Sequence, residues 1–302
     1  MIDPNGPWAH ELAASRLAFE RAAAEGDLAT ARQLASDLLA SLPAGTDPVV
    51  RDRLLCDVAA LSIELGEPDD HLAELRAILL RSTRLENARL AAYALARSHE
   101  LAGTHAKGLF YARIARDHSL SLARPDWLAS SHNQVGNLLV AGSRFADARE
   151  EYRAALGHLG EERSLRRFVI LQNLGYCAAV LGERDESLRL LYQALRGLVA
   201  AGARRHETQA RLDLCYAHLE LGRLELGQRH AERALELASE LGDDEARRNA
   251  LFLLGAALRS LGRSDTARFV FRQLQSDFYP DQDYLPGLLE SVDGTGLLNL
   301  RR

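Results

Sequence analysis

The sequence predicts an all-α fold, a right-handed α-solenoid of about seven helix–turn–helix repeats with a C-terminal capping segment. The first observation behind this prediction is a glycine that recurs every 37 to 40 residues along the 302-residue chain. A repeating unit of this length is a supersecondary module whose apolar face can be buried only by its neighbours. The recurring glycines are Gly26, Gly66, Gly103, Gly142, Gly182, Gly222 and Gly262.

The second observation is the helical spacing of small and apolar residues around each glycine. A small residue stands seven positions before most of these glycines, as Gly175 and Gly255 do, and an apolar residue such as Leu174 precedes it. A mostly small residue follows the glycine after five positions, and an apolar residue follows after nine. In the copy around Gly142 these offsets change by one. Offsets of 3, 4 and 7 residues indicate helices on both sides of the glycine.

The turns have their own sequence signals. Each recurring glycine is expected to end a first helix in the left-handed conformation, so that the second helix returns antiparallel to it. Asp126 and Asp243 stand near helix starts, where a carboxylate caps free backbone amides. A second set of breaks separates one unit from the next, at Pro43, Pro125, Gly160, Gly202 and Gly242.

No change of composition and no Gly/Ser/Pro-rich linker divides the chain, so a single solenoid over residues 1–302 is expected. Its end is expected to differ, because the repeat stops near Ser276 and an aromatic, proline-containing segment follows. Residues 278–302 would cap the last repeat, or alternatively fold into the groove as an autoinhibitory tail. The repeats are expected near residues 9–43, 50–82, 87–121, 126–160, 166–202, 206–242 and 246–277.

At these positions the chain resembles the tetratricopeptide repeat family. The resemblance spans roughly residues 9–277 and is stronger in the last four copies, while Phe19, Pro68 and His71 depart from the pattern. The unit is longer than the usual 34 residues, as in bacterial sensor and regulator solenoids and in the kinesin light chain. The resemblance implies a concave groove that binds peptides. The small–large–small rhythm is carried, for example, by Leu174, Gly175, Gly182, Ser187, Leu191 and Ala194.

Composition and cysteine usage favour a cytoplasmic protein. The longest uncharged runs are far shorter than the roughly 20 residues that a membrane span needs, and the start of the chain does not look like a signal peptide. We therefore expect no membrane contact. The three cysteines, Cys56, Cys177 and Cys215, are widely separated and are expected to be buried free thiols.

The sequence contains no recognisable catalytic or metal-binding pattern. No two of its ten histidines have the i, i+4 spacing that would place both on one helical face toward a metal. The glycines at 294 and 296 lack the lysine of a phosphate-binding loop. We expect no catalytic residue, no metal and no cofactor. An enzymatic role would remain only for a solenoid that positions a catalytic residue on another protein.

Nucleic acid is not an expected partner, because the formal net charge is −5 and helical repeats that bind RNA need a basic groove. Three arginine pairs do recur near the starts of first helices. They form either a ridge that attracts an acidic partner or a solvated edge balanced by nearby carboxylates. The pairs are Arg166 and Arg167, Arg204 and Arg205, and Arg247 and Arg248.

Polar residues on the first helices of copies four to seven predict the binding site. Four of the seven asparagines in the chain lie there, although amides are poorer helix formers than the alanine that fills the other helices. An amide both donates and accepts hydrogen bonds, which suits the backbone of an extended peptide. The alternative is that these residues only keep an exposed surface wet. The predicted site residues are Asn133, Gln134, Asn137, Gln172, Asn173, Tyr176, Gln209, Asp213, Tyr216, Asn249 and Arg259.

The predicted function is therefore a non-catalytic scaffold that binds a peptide or protein partner in the concave groove. The alternative is the ligand-sensing component of a bacterial regulatory system, which would bind a signal peptide or small molecule. The first three copies carry no amide at the corresponding positions. They could contact a second part of the ligand, mediate self-association, or continue the scaffold.

Overall fold

A computed structural model of the protein describes residues 17–19, 21–22, 27–67, 71–161 and 163–292. These residues form helices joined by turns and contain no β-strand, which confirms the all-α prediction. Helices that follow one another in sequence pack together within each of two compact units. The chain divides into two compact units, and each is described by itself.

Some predictions concern residues outside the described part of the chain. These are most of the first helix of the first repeat, the turn at Gly26, the glycines at 294 and 296, and the tail beyond residue 292. The prediction of a single solenoid over the whole chain stays a prediction.

The first unit comprises residues 1–138. It contains the second helix of the first predicted repeat, two complete helix pairs, and most of the first helix of the fourth repeat. Its helices are α1 (Leu28–Ser41), α2 (Pro48–Glu64), α3 (Leu72–Arg81), α4 (Leu85–Leu101), α5 (His105–Leu122) and α6 (Pro125–Ala141), of which α6 continues past the unit boundary.

The second unit comprises residues 139–302. It begins with a second helix, continues with three helix pairs, and ends with a short helix in the predicted cap. Its helices are α7 (Phe145–Leu159), α8 (Leu165–Val180), α9 (Arg184–Ala200), α10 (Arg204–Glu220), α11 (Leu224–Leu241), α12 (Asp244–Ser260), α13 (Ser264–Phe278) and α14 (Leu285–Ser291).

Within the second unit each helix from α8 to α13 packs against the next one. The first helices of successive pairs also contact each other directly, α8 with α10 and α10 with α12. A first helix such as α10 therefore contacts four neighbouring helices. This arrangement buries more of its surface than the amphipathic pattern of an isolated helix pair would suggest.

The predicted turn glycines adopt the left-handed conformation in five copies, and Gly182, with φ 78°, is typical. The fourth copy differs, because Ser143 with φ 57° takes the left-handed position there instead of Gly142. The prediction that Gly142 is the turn residue is thus wrong by one position. This shift explains why the spacing around Gly142 differed by one, since offsets counted from Ser143 agree with the other copies.

The small residues before the turns allow close helix approach, as the sequence predicted. A Cβ atom added at Gly175 would lie 2.8 Å from Cγ of Leu191 on the partner helix. At Gly255 an added Cβ would lie 2.3 Å from Cε1 of Phe271. Both pairs join a first helix to its second helix, so the glycines are required by packing within the repeat.

Two further expectations are met in the described residues. Asp243 caps α12, because its carboxylate accepts a hydrogen bond from the backbone amide of Ala246 at 3.0 Å. Cys56, Cys177 and Cys215 are buried free thiols. Burial raises the pKa of the Cys56 thiol to about 12, so this group stays protonated at neutral pH. No helix in the described part of the chain is long and apolar enough to cross a membrane.

Candidate functional site

The predicted site residues all lie on first helices. Those on α8, α10 and α12 belong to the second unit, and those on α6 belong to the first unit. In the second unit they are Gln172, Asn173 and Tyr176 on α8, Gln209, Asp213 and Tyr216 on α10, and Asn249 and Arg259 on α12.

Several of these side chains are more buried than the prediction of a solvent-facing groove required. Asn173 is only 4% exposed, and Gln134, Gln172, Tyr176, Asp213 and Tyr216 are also buried. The reason is the direct packing of first helices against each other, which covers positions nine and ten residues before the turn. Asn133, Asn137, Gln209, Asn249 and Arg259 remain half-buried.

Asp213 joins two successive first helices of the second unit. Its Oδ2 accepts a hydrogen bond from Nε2 of Gln172 on α8 at 2.9 Å. Its Oδ1 accepts one from Nε2 of Gln209, one turn earlier on its own helix, at 3.3 Å. A buried carboxylate is stable only when it is well hydrogen-bonded, and these amides supply two of its bonds. The three residues thus form a polar connection between adjacent repeats.

Aromatic rings run beside this connection. Tyr176 packs edge-on against Phe145 of α7, with 6.1 Å between ring centroids, and lies 6.2 Å from the ring of Tyr216. Burial raises the pKa of the Tyr216 hydroxyl, and the negative charge of Glu220 adds to this effect. We call Gln172, Tyr176, Gln209, Asp213 and Tyr216 the first-helix row.

The predicted residues of the first unit are also held by hydrogen bonds. Gln134 donates through Nε2 to the backbone carbonyl of Tyr93 on α4 at 3.0 Å. Burial raises the pKa of the Glu100 carboxyl, and Arg97 and the hydrogen bond from Asn137 counteract this rise. Like Gln172 in the second unit, Gln134 has a buried Oε1 with no partner among the described residues.

Arg259 is engaged by the C-terminal segment. Its Nη1 donates to the backbone carbonyls of Leu289, at 2.8 Å, and Val292. Arg268 on α13 forms a two-bonded ion pair with Glu290 of α14. The described part of the predicted cap therefore packs on the last helix pair and also occupies one predicted site residue.

One arginine in each of two arginine pairs contacts nearby carboxylates, and the choice between a ridge and a solvated edge stays a prediction. Arg204 pairs with Glu240 on the next second helix, and Arg247 pairs with Asp244 and Asp277. These partners neutralise the charges of the two arginines at the ends of the repeats.

Sequence spacing did not reveal one cluster of titratable groups. His218 on α10 and His230 on α11 lie twelve residues apart in sequence, yet their rings stack with centroids 5.5 Å apart. The Nε2 atoms of both point at the hydroxyl of Tyr192, at 2.8 and 3.4 Å. Both Nδ1 atoms are buried without a partner among the described residues. This pair could be predicted only from the way in which α10 packs against α11.

Burial keeps these histidines neutral. It lowers the pKa of His230 to about 4, and the charge of Arg211 acts in the same direction, as does His218 when it is protonated. Burial also lowers the pKa of His218, helped by Arg223. Among the described residues, no three His, Cys, Asp or Glu side chains are grouped so that they could hold a metal ion.

Taken as a class, the molecule is an α-helical repeat protein with a polar and aromatic row on its first helices. Residues 207–275 match the model of the tetratricopeptide repeat family. This match and the likeness to repeat structures confirm the resemblance to that family. No curated protein matches the chain.

Three solved structures show the same fold. A Rap protein complexed with Competence and Sporulation Factor is 16% identical, with 85% of this chain and 72% of that chain covered and a TM-score of 0.64. Aspartyl phosphate phosphatase F from Bacillus subtilis is 12% identical, with 88% and 84% covered and a TM-score of 0.58. A putative kinesin light chain from Podosopora anserina with nearly identical TPR-like repeats is 14% identical, with 68% and 95% covered and a TM-score of 0.50.

Proposed function

We propose that the protein is a non-catalytic binding scaffold whose first helices α10 and α12, supported by α8, take an extended segment of a peptide or protein. The fold itself supports binding, because tetratricopeptide-like neighbours include a Rap protein complexed with a competence and sporulation factor. We further propose that it acts in the cytoplasm and binds neither nucleic acid nor membranes.

The observation that carries this proposal is the recurrence of half-buried amides at equivalent positions of successive first helices. Gln209 and Asn249 each stand 13 residues before their turn glycine. Packed helices are about 8–10 Å apart, and an extended chain advances about 3.3 Å per residue. Amides on neighbouring helices would therefore meet backbone groups about three residues apart, whatever the peptide sequence.

The buried members of the first-helix row give these amides a rigid base. Asp213 orients Gln209 by accepting its Nε2 hydrogen bond, and Gln172 fixes the carboxylate from the other side. A ligand that exchanges hydrogen bonds with an already ordered side chain loses less conformational entropy on binding. In this proposal the buried residues position the site and the half-buried ones contact the ligand.

The proposal is tested by site-specific photocross-linking of the full chain in cells that produce it. A photoreactive amino acid at position 209 or 249 should capture the same partner. The control position is Arg229, which is exposed on the second helix α11. Capture from position 229 but not from 209 or 249 would place the partner on the second helices and contradict the proposal.

Measuring the affinity of alanine variants for the captured partner then distinguishes residues that contact the ligand from residues that only support the fold. Gln209→Ala and Asn249→Ala should each weaken binding by about 1–3 kcal/mol, because each removes a hydrogen-bonding group from a partly desolvated site. The melting temperature of Asn249→Ala should stay close to that of the wild type. Gln209→Ala should also lower the melting temperature, because the buried carboxylate of Asp213 loses one of its hydrogen bonds. A lower melting temperature in both variants, with no loss of affinity in the molecules that remain folded, would show that the amides are structural.

A ligand-sensing role in a bacterial regulatory system is the second candidate, favoured by the likeness to the Rap complex. It differs from a scaffold in what the ligand does. A sensor changes its affinity for a second protein when the peptide or small molecule binds, through a coupling free energy between two sites. Measuring partner affinity with and without the peptide distinguishes the two roles.

A further inference from the structure

The first unit contains a cavity of about 300 Å³ that the proposed peptide site does not use. It opens between the end of α1, the first half of α2 and the start of α4. Its apolar wall consists of Leu38, Val49, Val50 and Leu54. Leu38 and Leu54 are each only 5% exposed, so they form a closed base, whereas Val50 is 38% exposed and lies toward solvent. We call this space the α2 cavity.

Four charged side chains also line the α2 cavity. Two of them neutralise each other, because Nε of Arg53 contacts both carboxylate oxygens of Asp57, at 3.3 and 3.2 Å. The other two are Arg84 and Glu86. Within the described part of the chain, neither of these side chains forms a hydrogen bond or ion pair. The cavity therefore offers one uncommitted cation and one uncommitted anion beside an aliphatic wall.

The two uncommitted charges lie on a fixed segment. Asn87, next to Glu86 and only 3% exposed, donates through Nδ2 to the backbone carbonyl of Val49 at 2.9 Å. The Sγ atom of Cys56 lies 3.8 Å from the carbonyl oxygen of Asn87. These contacts tie the start of α4 to α2, so the charged lining and the apolar wall keep their relative positions without a ligand.

We propose that the α2 cavity binds a free aliphatic α-amino acid. Its carboxylate pairs with the guanidinium of Arg84, its ammonium pairs with Glu86, and its branched side chain lies on Leu38, Val49 and Leu54. A guanidinium suits a carboxylate because it donates two parallel hydrogen bonds. The size is suitable as well, since ligand sites begin at roughly 300 Å³ and combine apolar walls with a few placed polar groups.

The charge balance of the lining selects a zwitterion. Arg53 and Arg84 are matched by Asp57 and Glu86, so a ligand with net charge would leave one lining charge unpaired. A peptide end carries only one of the two α-groups. A free amino acid carries both on adjacent atoms, next to the side chain that the wall accepts. This site is thus independent of the peptide-binding face proposed for the second unit.

Isothermal titration calorimetry of the full chain tests the ligand class. L-leucine or L-isoleucine should bind, and glycine should not, because it has no side chain for the wall. Leucinamide lacks the carboxylate charge and N-acetyl-leucine lacks the ammonium charge, so each should bind at least about tenfold more weakly than leucine. Absence of heat with every aliphatic amino acid at millimolar concentration would overturn the proposal.

Two charge variants link each ligand group to its residue. Arg84→Gln should bind leucine and leucinamide equally while still rejecting N-acetyl-leucine, and Glu86→Gln should show the reverse pattern. The control is Glu74→Gln on α3, an exposed glutamate outside the cavity, which should bind like the wild type. Unchanged ligand preference in both charge variants would overturn the assignment. Circular dichroism should show that all three variants keep their helices.

Discussion

The amide nitrogen Nε2 of Gln172 lies 2.9 Å from Oδ2 of Asp213, and both side chains are buried between adjacent repeats. Removing either partner alone takes one hydrogen bond away from the buried polar group that remains. We expect Gln172→Leu and Asp213→Leu each to lower the free energy of unfolding by about 1–3 kcal/mol. The double variant should lose less than the sum of the two, since both polar groups are then gone. Urea denaturation followed by circular dichroism measures the three values, and simple additivity would show that the pair is not coupled.

Gly255 faces the ring of Phe271 so closely that no Cβ can be accommodated. Gly255→Ala should therefore destabilise the protein by about 1–3 kcal/mol through overpacking. The matched control is Gly157→Ala on α7, where an added Cβ meets nothing within 4 Å. This control should stabilise by about 0.5–1 kcal/mol, because alanine is the better helix former. Thermal melts of both variants check the opposite signs, and equal signs would refute the packing argument.

Ser143 has a left-handed backbone conformation, with φ 57°, which raises the free energy of the folded state. Ser143→Gly should raise the free energy of unfolding by about 1 kcal/mol, since glycine adopts this conformation without a steric penalty. Ser143→Ala should bring no such gain, because alanine keeps the penalty. A gain in both variants would mean that loss of the hydroxyl, rather than backbone relief, is responsible.

The buried histidine pair makes stability depend on pH. In the unfolded chain a histidine has a pKa of about 6.5, whereas burial lowers the pKa of His230 to about 4 in the folded protein. Between these values the unfolded state binds more protons, so stability is complete above pH 6.5 and falls as the pH drops toward 4. His230→Phe should flatten this part of the stability profile.

A second variant checks the cause of the histidine effect. Arg223 contributes to the lowered pKa of His218 through its charge. Arg223→Gln should weaken the pH dependence while leaving both rings in place. An unchanged profile in both variants, measured by chemical denaturation from pH 4 to 8, would assign the acid sensitivity to other groups.

The tail contacts predict unequal effects of two arginine substitutions. Arg259 donates to two backbone carbonyls of the C-terminal segment, and its loss leaves those acceptors short of a partner. Arg268 forms an exposed ion pair with Glu290, and solvent screens the attraction between the two charges. We expect Arg259→Ala to increase hydrogen exchange in α12 and α14 more than Arg268→Ala does. Deleting residues 279–302 should lower the melting temperature below that of the wild type. An unchanged melting temperature would exclude a capping role.

The repeat itself was predictable because its signal is periodic. Gly182 and its equivalents and the cap at Asp243 follow from local backbone geometry. The small residues at Gly175 and Gly255 recur with the same period, because each packs against the second helix of its own repeat. The turn at Ser143 was missed because the glycine stands one residue earlier, and only the altered offsets hinted at it.

Burial of the candidate site was not predictable in the same way. Asn173 and Asp213 occupy positions that would be exposed on a lone helix pair, and it is the next first helix that covers them. The pairing of His218 with His230 likewise depends on how α10 and α11 rotate against each other. Helical periodicity predicts which face of a single helix is apolar. The burial of these polar residues and the histidine pair depend on how two helices pack together.

The carboxylate of Asp213 takes one hydrogen bond from its own helix and one from the preceding repeat. Gln172 and Asp213 therefore form a hydrogen-bonded pair between two neighbouring modules, and the two residues lie 41 positions apart in the sequence. Exchanging one of the two modules would remove one member of the pair, and duplicating one would add a copy of Gln172 or Asp213 without its partner, even if every residue inside the module were kept. The copies of this array are alike in outline but not interchangeable, so recombination in evolution or in the laboratory should succeed only when the modules containing Gln172 and Asp213 move together.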